Sequence, residues 1–228
     1  MSLDTFKFHG VTFNGESGNQ HFANCPFCMK PNKLYVNPDN GGWDCKSCQK
    51  KGYPPQFLGY LGEKYAKNLN GDPLARLVEN RGIPAEVLIE WGVGWDGARY
   101  TILCKDPSGK AVDLRVWKPG GPLMSTKGAS TGLFGIENIP KGKGTVYLCE
   151  GEWDTMALSA LAKKLKKDVC TVGVPGSGTF KKEWIAALHN KNVIVLYDND
   201  EAGENGERVV LNRLKGVASS LQFIQWPG

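Results

Sequence analysis

Two short acidic segments, residues 150–154 and 198–201, contain the side chains of this sequence that are best suited to chemistry. Each segment directly follows an apolar run, at residues 145–149 and 193–197, with the β-branched and aromatic composition of parallel strands that are buried on both faces. The carboxyl ends of parallel strands lie at one edge of the sheet, where open α/β sheets bind their ligands. Because clustered carboxylates stay ionised mainly beside cations, the pattern predicts a magnesium-type metal site.

The spacing of the carboxylates indicates which of them share this site. Asp198 and Asp200 are two residues apart on an extended segment, so their side chains should point to the same side. Glu150 should come from an adjacent or nearby strand, and Asp154 follows it by about one helical turn. The alternative interpretation is a set of helix caps and surface acids, which is common after a single strand. Two matched segments in one alternating domain favour the metal site.

Two cysteine pairs in the first quarter of the chain have the spacing of zinc knuckles. The pairs are Cys25-x-x-Cys28 and Cys45-x-x-Cys48, with sixteen residues between them. A ribbon between two such knuckles brings four thiolates around one tetrahedral zinc ion, and four protein ligands make the site structural. Chance pairing or redox cysteines are the alternative. The other cysteines stand alone in apolar segments and are interpreted as small buried hydrophobic residues: Cys104, Cys149 and Cys170.

The formal net charge is +5, and the excess of positive charge lies ahead of the acidic segments. Residues 1–144 contain 18 basic and 13 acidic residues, whereas residues 145–228 contain 10 of each. A basic region before an acidic metal site fits a polyanion such as nucleic acid, although a modest excess is also typical of a solvated surface. No apolar run approaches the ~20 residues that span a bilayer, and no signal-peptide core is present. We therefore expect a soluble intracellular protein without a membrane partner.

The predicted elements make the fold class α/β and divide the chain into three domains. These are a small β-ribbon zinc-binding domain at residues 1–70, a mixed α/β subdomain at 71–144, and a domain with a mainly parallel sheet at 145–228. The parallel sheet is predicted because strands and helices alternate from residue 145 onward.

Five further local predictions concern single segments. Residues 6–13 are predicted to form a strand, residues 56–69 a helix opened by two prolines, and residues 70–73 a linker of turn formers. Between the cysteine pairs, an alternating pattern on both sides of a Gly/Asn turn predicts a β-hairpin. In the third domain, a helix is predicted at residues 180–190.

A glycine-rich segment at residues 173–179 follows a predicted strand of the third domain. It lacks the lysine that a P-loop requires, so we interpret it as a strand-end loop whose backbone amides hold a phosphate. The motif Gly92-x-Gly94-x-x-Gly97 matches a dinucleotide fingerprint, but it follows a helix-like segment and opens no helix, so we reject it.

Taken together, these motifs resemble the Toprim-type DNA primases. The pattern EG-x-x-D at residues 150–154, the pattern D-x-D-x-AG at 198–203 and the glycine-rich loop between them are specific for Toprim domains. With the four-cysteine ribbon, the chain is similar to bacterial replicative primases and, more closely, to the primase half of phage primase-helicases. The Arg81-Gly82 pair, and Lys127 ahead of a Leu-Phe-Gly sequence, add weaker support.

The resemblance implies a chemistry and a set of site residues. Family members join ribonucleotides on a single-stranded DNA template, using acidic residues that bind magnesium or manganese. The implied metal ligands, with Asp154 in support, are Glu150, Asp198 and Asp200. The implied nucleotide-binding or template-binding residues are Arg81, Arg115 and Lys127, with Lys118 as a nearby candidate. The zinc ribbon would help to select the template start sequence. A replicative helicase, fused or separate, is the implied partner, and the cytoplasm of a bacterial or phage-infected cell is the implied location.

Two departures from the family pattern bear on this expectation. The segment at residues 122–126 resembles a family stretch that usually begins with lysine, so one nucleotide contact is in question. Family members also have a further acidic residue soon after the last predicted strand, whereas this sequence stops at Gly228, which suggests a piece of a longer primase-helicase or a helicase-dependent primase. The alternatives are a non-catalytic zinc/Toprim DNA-binding module of recombination mediators, and a Toprim nuclease or topoisomerase fragment.

Overall fold

The apolar segments of the chain form three β-sheets in the computed structural model, which describes residues 3–224. The strands are β1 (Phe13–Ser17), β2 (Gln20–Ala23), β3 (Leu34–Val36), β4 (Trp43–Cys45), β5 (Lys51–Gly52), β6 (Gly94–Trp95), β7 (Tyr100–Lys105), β8 (Ala111–Trp117), β9 (Thr145–Cys149), β10 (Cys170–Gly173), β11 (Asn192–Leu196) and β12 (Ser220–Phe223). The α-helices are α1 (Asp4–Phe8), α2 (Pro54–Asn68), α3 (Gly71–Arg81), α4 (Ala85–Glu90), α5 (Glu152–Lys164) and α6 (Glu201–Leu214). Short 3₁₀ helices lie at Ile136–Asn138, Ser177–Thr179 and Lys182–Leu188.

The described residues form two compact units that alternate along the chain. Unit 1 contains residues 3–73, 92–104 and 110–131, and unit 2 contains residues 74–91, 105–109 and 132–224. The predicted domain limits, 1–70, 71–144 and 145–228, stay a prediction.

Unit 1 contains an antiparallel sheet in the order β1-β2-β3-β4-β5. The predicted hairpin is confirmed as β3 and β4, which pair with Leu34 opposite Cys45. Its turn is closed at Asn37, whose side-chain oxygen accepts a hydrogen bond of 2.8 Å from the backbone N–H of Asp39. This hairpin places the second cysteine pair at the end of β4, beside the sheet.

Two local predictions in this unit are wrong. Residues 6–13 do not form one strand, because residues 6–8 belong to helix α1 and the first strand, β1, begins only at Phe13. Helix α1 buries Phe6 against the ring of Phe57, at a centroid distance of 4.6 Å. The turn formers at residues 70–73 do not form a linker, because α3 begins at Gly71. A proline in the first turn of a helix loses no intrahelical hydrogen bond, so Pro73 is compatible with this start.

Helix α2, which the sequence predicted, packs against the second sheet of unit 1, in the order β6-β7-β8. The approach is close at Gly94 of β6, where a Cβ atom would lie 2.6 Å from the backbone carbon of Tyr65. The packing buries Leu58, Leu61 and Leu114 completely or almost completely. The core of unit 1 therefore joins the helix to both of its sheets.

Unit 2 is built on a sheet in the order β10-β9-β11-β12, in which every neighbouring pair is parallel. The predicted mainly parallel sheet is thus confirmed. Register places Cys149 of β9 opposite Gly173 of β10 and Leu196 of β11, so these three strands end at the same level. The segment at residues 180–190 is 3₁₀ over Lys182–Leu188 rather than an α-helix, and it buries Trp184 and Leu188 against the core. Within residues 3–224, no helix is both long enough and apolar enough to cross a membrane.

Candidate functional site

The two acidic segments follow neighbouring strands of the parallel sheet, and the structure brings them into contact. Because β9 and β11 end at the same level, Glu150 and Asp198 leave the sheet at the same edge. The backbone N–H of Asp198 donates a hydrogen bond of 3.0 Å to Oε2 of Glu150. This bond joins the two loops and fixes one carboxylate oxygen of Glu150 over the start of the second acidic segment.

Asp200 is the N-cap residue of α6. Its Oδ1 accepts a hydrogen bond of 2.7 Å from the backbone N–H of Gly203, which satisfies one of the unpaired donors of the first helical turn. Asp200 therefore caps a helix, which is the role that the alternative to a metal site assigned to these acidic residues. An ionised carboxylate has about four lone-pair sites, so one capping bond is compatible with a second role as a metal ligand.

Asp154 lies in the first turn of α5, close enough to Asp198 for the charge of that carboxylate to act on it. Burial raises its pKa, and the negative charge of Asp198 raises it further, whereas the backbone and the positive charge of Arg81 oppose the shift. The pKa of Arg81 is in turn lowered by burial and supported by Asp154. We call the edge of the sheet that is followed by Glu150, Asp154, Asp198 and Asp200 the carboxylate edge. Arg81 is the basic residue of the predicted set that the structure places there.

Trp153 is a residue of this edge that the sequence analysis did not identify. The guanidinium carbon of Arg81 lies 4.4 Å from the centroid of the Trp153 ring, which is a cation–π geometry. The indole therefore orients the cation that faces Asp154. The only sequence signal was its position, an aromatic residue inside the EG-x-x-D pattern.

Gly203 allows the second acidic segment to turn tightly into α6. A Cβ atom at this position would lie 2.0 Å from the carbonyl oxygen of Asp198, a backbone atom that cannot move away like a flexible side chain. The glycine of the D-x-D-x-AG pattern is therefore required by the close approach of the loop and the helix.

We expect Gly203→Ala to destabilise unit 2 by about 3 kcal/mol, because the added methyl group collides with the Asp198 loop. Hydrogen exchange of the unit 2 amides measures this loss. Gly178→Ala is the matched control, since a Cβ atom there would have no neighbour within 4 Å, and it should leave the protection unchanged. Equal protection in both variants would show that the collision is relieved without cost.

The carboxylates form an open site rather than a closed cage. Within residues 3–224, the four cysteines form the only group of three or more His, Cys, Asp or Glu side chains whose ligand atoms all lie within 4.8 Å of one another. Magnesium usually keeps several waters and is bound through one or two carboxylates together with substrate phosphates. An open edge of acidic residues fits that mode of binding.

The cysteine cluster has the dimensions of a tetrahedral zinc site. The Sγ atoms of Cys25 and Cys48 are 3.9 Å apart, and those of Cys28 and Cys45 are 3.8 Å apart. With a Zn–S distance of about 2.3 Å, the edge of a regular tetrahedron is about 3.8 Å, so the four sulfur atoms fit one zinc ion.

The two knuckles of this cluster have the same backbone conformation. Met29 and Gln49, the residues that follow each pair, have positive φ angles of 59° and 60°. Backbone N–H groups of Ser47 and Cys48 each donate to Sγ of Cys45 at 3.4 Å. Such N–H donors stabilise a thiolate, the form that binds metal. The cluster is also part of the core of unit 1, because Cys25 and Cys45 are buried.

The other basic residues of the predicted set, Arg115, Lys118 and Lys127, lie in unit 1. Arg115 is only 6% exposed and donates a hydrogen bond of 2.9 Å to the carbonyl oxygen of Leu123, so its side chain supports that segment. Lys118 is exposed, and Lys127 is exposed with its Nζ 3.6 Å from Oδ2 of Asp4. The two lysines are therefore accessible to a polyanion, whereas the guanidinium of Arg115 is buried.

A buried polar network positions the segment that contains Lys127. Nε2 of His9 and Oγ1 of Thr126 form a hydrogen bond of 2.8 Å, and the backbone N–H of Thr126 donates to Oδ1 of Asp113 at 2.9 Å. Burial lowers the pKa of His9 to about 4 and raises the pKa of Asp113. The imidazole is thus neutral at pH 7. Isolated histidine and aspartate residues have no sequence pattern that would have identified this network.

Comparison with known proteins agrees with this architecture. Residues 147–228 match the model of a family described as Toprim-like. No curated protein matches the chain in sequence.

Three solved structures illustrate the similarity of fold. The zinc-binding and RNA polymerase domains of Aquifex aeolicus primase match with a TM-score of 0.57 at 16% identity, covering 100% of this chain and 80% of theirs. The primase fragment of the bacteriophage T7 primase-helicase matches with a TM-score of 0.54 at 20% identity, covering 90% of this chain and 89% of that one. The DnaG primase catalytic domain bound to single-stranded DNA matches with a TM-score of 0.59 at 18% identity, covering 75% of this chain and 70% of that one. The chain therefore contains a Toprim-like domain at residues 147–228, preceded by a four-cysteine cluster, and it shares its fold with DNA primases.

Proposed function

We propose that this protein is a DNA primase, which synthesises short RNA primers on single-stranded DNA by metal-dependent nucleotidyl transfer. The observation that carries the proposal is the contact between Glu150 and Asp198 at the ends of adjacent strands of a Toprim-like domain. The four-cysteine cluster in the same chain, and the fold shared with primases, support it.

In this proposal the carboxylate edge binds one or two magnesium or manganese ions through Glu150, Asp198 and Asp200, with Asp154 in support. When bound, the metal would activate the primer 3′-hydroxyl and stabilise the charge of the departing pyrophosphate. The hydrogen bond from the backbone N–H of Asp198 holds the Glu150 carboxylate beside the second acidic segment before any substrate arrives. Such preorganisation limits the reorganisation that is needed during the reaction.

Arg81 has a distinct role in the proposed reaction. Its guanidinium is positioned by the Trp153 ring and lies beside the carboxylates, where a nucleoside triphosphate would bring its phosphates. A guanidinium is always charged and can contact phosphate oxygens in a bidentate manner. We therefore assign Arg81 to the triphosphate of the incoming ribonucleotide.

The remaining parts of the proposal concern unit 1 and the partners. One structural zinc ion is held by the four cysteines, and the ribbon takes part in template selection. Lys127 and Lys118 contact the nucleotide or template directly, whereas Arg115 acts by supporting the Leu123 segment. The template is single-stranded DNA, the substrates are ribonucleoside triphosphates, and the partner is a replicative helicase, fused or separate, in the cytoplasm of a bacterial or phage-infected cell. The single-stranded DNA in one similar structure and the primase-helicase origin of another support these assignments.

Primer synthesis is tested by incubating the zinc-loaded protein with single-stranded DNA of varied sequence, labelled ribonucleotides and Mg²⁺ or Mn²⁺. We expect short labelled oligoribonucleotides that appear only when template and metal are both present. Addition of a replicative helicase should increase the yield, because it delivers template. Nicked DNA without incorporation of ribonucleotides would instead identify a Toprim nuclease, and DNA binding without either reaction would identify a recombination module.

A further inference from the structure

A cavity of about 560 Å³ lies in unit 2, at the edge of the parallel sheet opposite the carboxylates. Its walls are formed by the segments that lead into β9 and β11, at residues 136–143 and 186–191, whereas the acidic residues follow the same two strands. Because both strands run in the same direction, the cavity and the carboxylate edge are at opposite ends of the sheet. Neither the Toprim-like motifs nor the proposed reaction uses it.

The wall of this cavity is aliphatic and its rim is basic. Ile136, Ile139, Ala186, Ala187, Pro107 and Pro140 provide the apolar surface. Lys141 and Lys143 are exposed at the rim, together with His189. The acidic lining residue is Glu137, whose Oε1 lies 3.3 Å from Nζ of Lys105. The cavity therefore combines an apolar surface with an excess of positive charge.

The basic rim is held in place by a buried lysine. Lys191 is 3% exposed, and its ammonium group donates hydrogen bonds to the backbone carbonyl oxygens of Pro140 and Gly142. The backbone N–H of Asn192 donates to the carbonyl oxygen of Gly144 at 2.9 Å. These bonds fix the Lys-Gly-Lys loop from below, so the two exposed ammonium groups are presented from an ordered backbone. Such preorganisation lowers the entropic cost of binding an anion.

Glu137 provides a hydrogen-bond acceptor, in contrast to the lysine ammonium groups of the rim, which are donors. Its Oε2 is buried and has no hydrogen-bond partner within the described residues. A buried acceptor without a donor is destabilising, and a ligand N–H group that reached it would relieve this cost. Oxygen acceptors of this type recognise the amino and imino N–H groups of nucleobases.

These features identify the chemistry of the ligand. The volume is within the range of small-molecule sites, roughly 300–1,000 Å³. Two lysines at the rim suit phosphate groups, and the aliphatic wall suits a flat ring system. Among residues 3–224, no phenylalanine, tyrosine or tryptophan side chain lines the cavity. It therefore lacks the stacking platforms that bind the successive bases of a single strand. We propose that the cavity is a second site, which binds a free nucleoside phosphate with its phosphates on Lys141 and Lys143 and its base towards Glu137.

The test is isothermal titration calorimetry of the full zinc-loaded chain with ATP or GTP, in buffer without divalent cations. Omitting the metal disfavours binding of triphosphate at the carboxylate edge, because repulsion by the carboxylates is then uncompensated. We expect binding that weakens at least tenfold in Lys141→Ala/Lys143→Ala. The control Lys164→Ala/Lys167→Ala removes the same charge from exposed positions at the last residue of α5 and three residues beyond it, and it should bind like the unmodified protein.

Two further titrations distinguish this cavity from the carboxylate edge and from a simple polyphosphate site. Asp198→Asn should bind ATP as before. Tighter binding in this variant, as expected when the repulsion by this carboxylate is relieved, would place the ligand at the carboxylate edge and overturn the proposal. Inorganic tripolyphosphate should bind at least tenfold more weakly than ATP, and equal binding would remove any role for the base and overturn it as well. Absence of nucleotide binding, or equal loss in both double-lysine variants, would also overturn the proposal. None of these outcomes depends on primase activity.

Discussion

Asp198→Asn is expected to lower the rate of primer synthesis by about three orders of magnitude while leaving the fold intact. Asparagine keeps the size of the side chain and the backbone N–H that donates to Glu150, so the contact between the loops survives. In the proposed reaction it removes a negative charge that would hold the metal, and a loss of three orders of magnitude corresponds to about 4 kcal/mol of activation free energy. Glu150→Gln should have an effect of similar size. Initial rates of oligoribonucleotide formation on single-stranded DNA measure both losses.

The matched control for this loss is Glu204→Gln, which also removes one negative charge near the start of α6. Glu204 lies on the exposed side of the helix, with its Oε2 3.5 Å from a guanidinium nitrogen of Arg208, and exposed ion pairs of this kind contribute little to stability. Primer synthesis should therefore stay within about twofold of the unmodified rate, less than 0.5 kcal/mol. Comparable activity in Asp198→Asn would contradict the assignment of the carboxylate edge as the catalytic site, and a rate that is restored by higher Mn²⁺ would support it.

Removal of zinc is the second large effect that we expect. The purified chain should contain about one zinc ion, because four thiolates close one tetrahedral site. Cys28→Ser should lose this zinc and unfold the ribbon, since the binding energy of a structural zinc is also folding energy, of order 10 kcal/mol in isolated zinc-binding peptides. The effect should spread to the core of unit 1, where Cys25 and Cys45 pack with Phe57 and Trp43. Atomic absorption measures the metal, and the loss of dispersed amide signals reports the unfolding.

Cys170→Ser is the control for this experiment. Cys170 is a half-buried residue of β10 in unit 2, and its Sγ lies 3.7 Å from the carbonyl oxygen of Asn138. Serine can make the same hydrogen bond, so zinc content and the unit 1 signals should be unchanged. Zinc content near zero in the unmodified protein would show that the cluster has another role, such as redox chemistry.

Some features of this protein could be predicted because they depend on local spacing. The cysteine pairs specify two knuckles without any tertiary information, since each knuckle is closed within a few residues and repeats the same backbone conformation at Met29 and Gln49. The alternation of apolar runs and acidic turns after residue 145 likewise specifies a parallel sheet with its carboxylates at one edge. In both cases the relevant hydrogen bonds or strand ends follow directly from the order of the residues.

Other features depend on contacts between residues that are distant in the chain, and the sequence pattern misled there. Residues 6–13 alternate like a strand, but burial of Phe6 against Phe57 selects a helix, because the gain from core packing exceeds a weak local preference. The cation–π contact between Arg81 and Trp153, and the burial of Arg115 under the Leu123 segment, join residues whose pairing no local pattern encodes.

The acidic segments depend both on local sequence and on contacts between residues that are distant in the chain. Sequence alone identified Glu150, Asp154, Asp198 and Asp200 as a candidate metal site, because residue type and position after a strand are local properties. Only the tertiary structure decided that β9 and β11 are neighbours, that Asp198 donates to Glu150, and that Asp200 also caps α6. Strand order and side-chain partners depend on which surfaces pack together, and packing is a property of the whole folded chain.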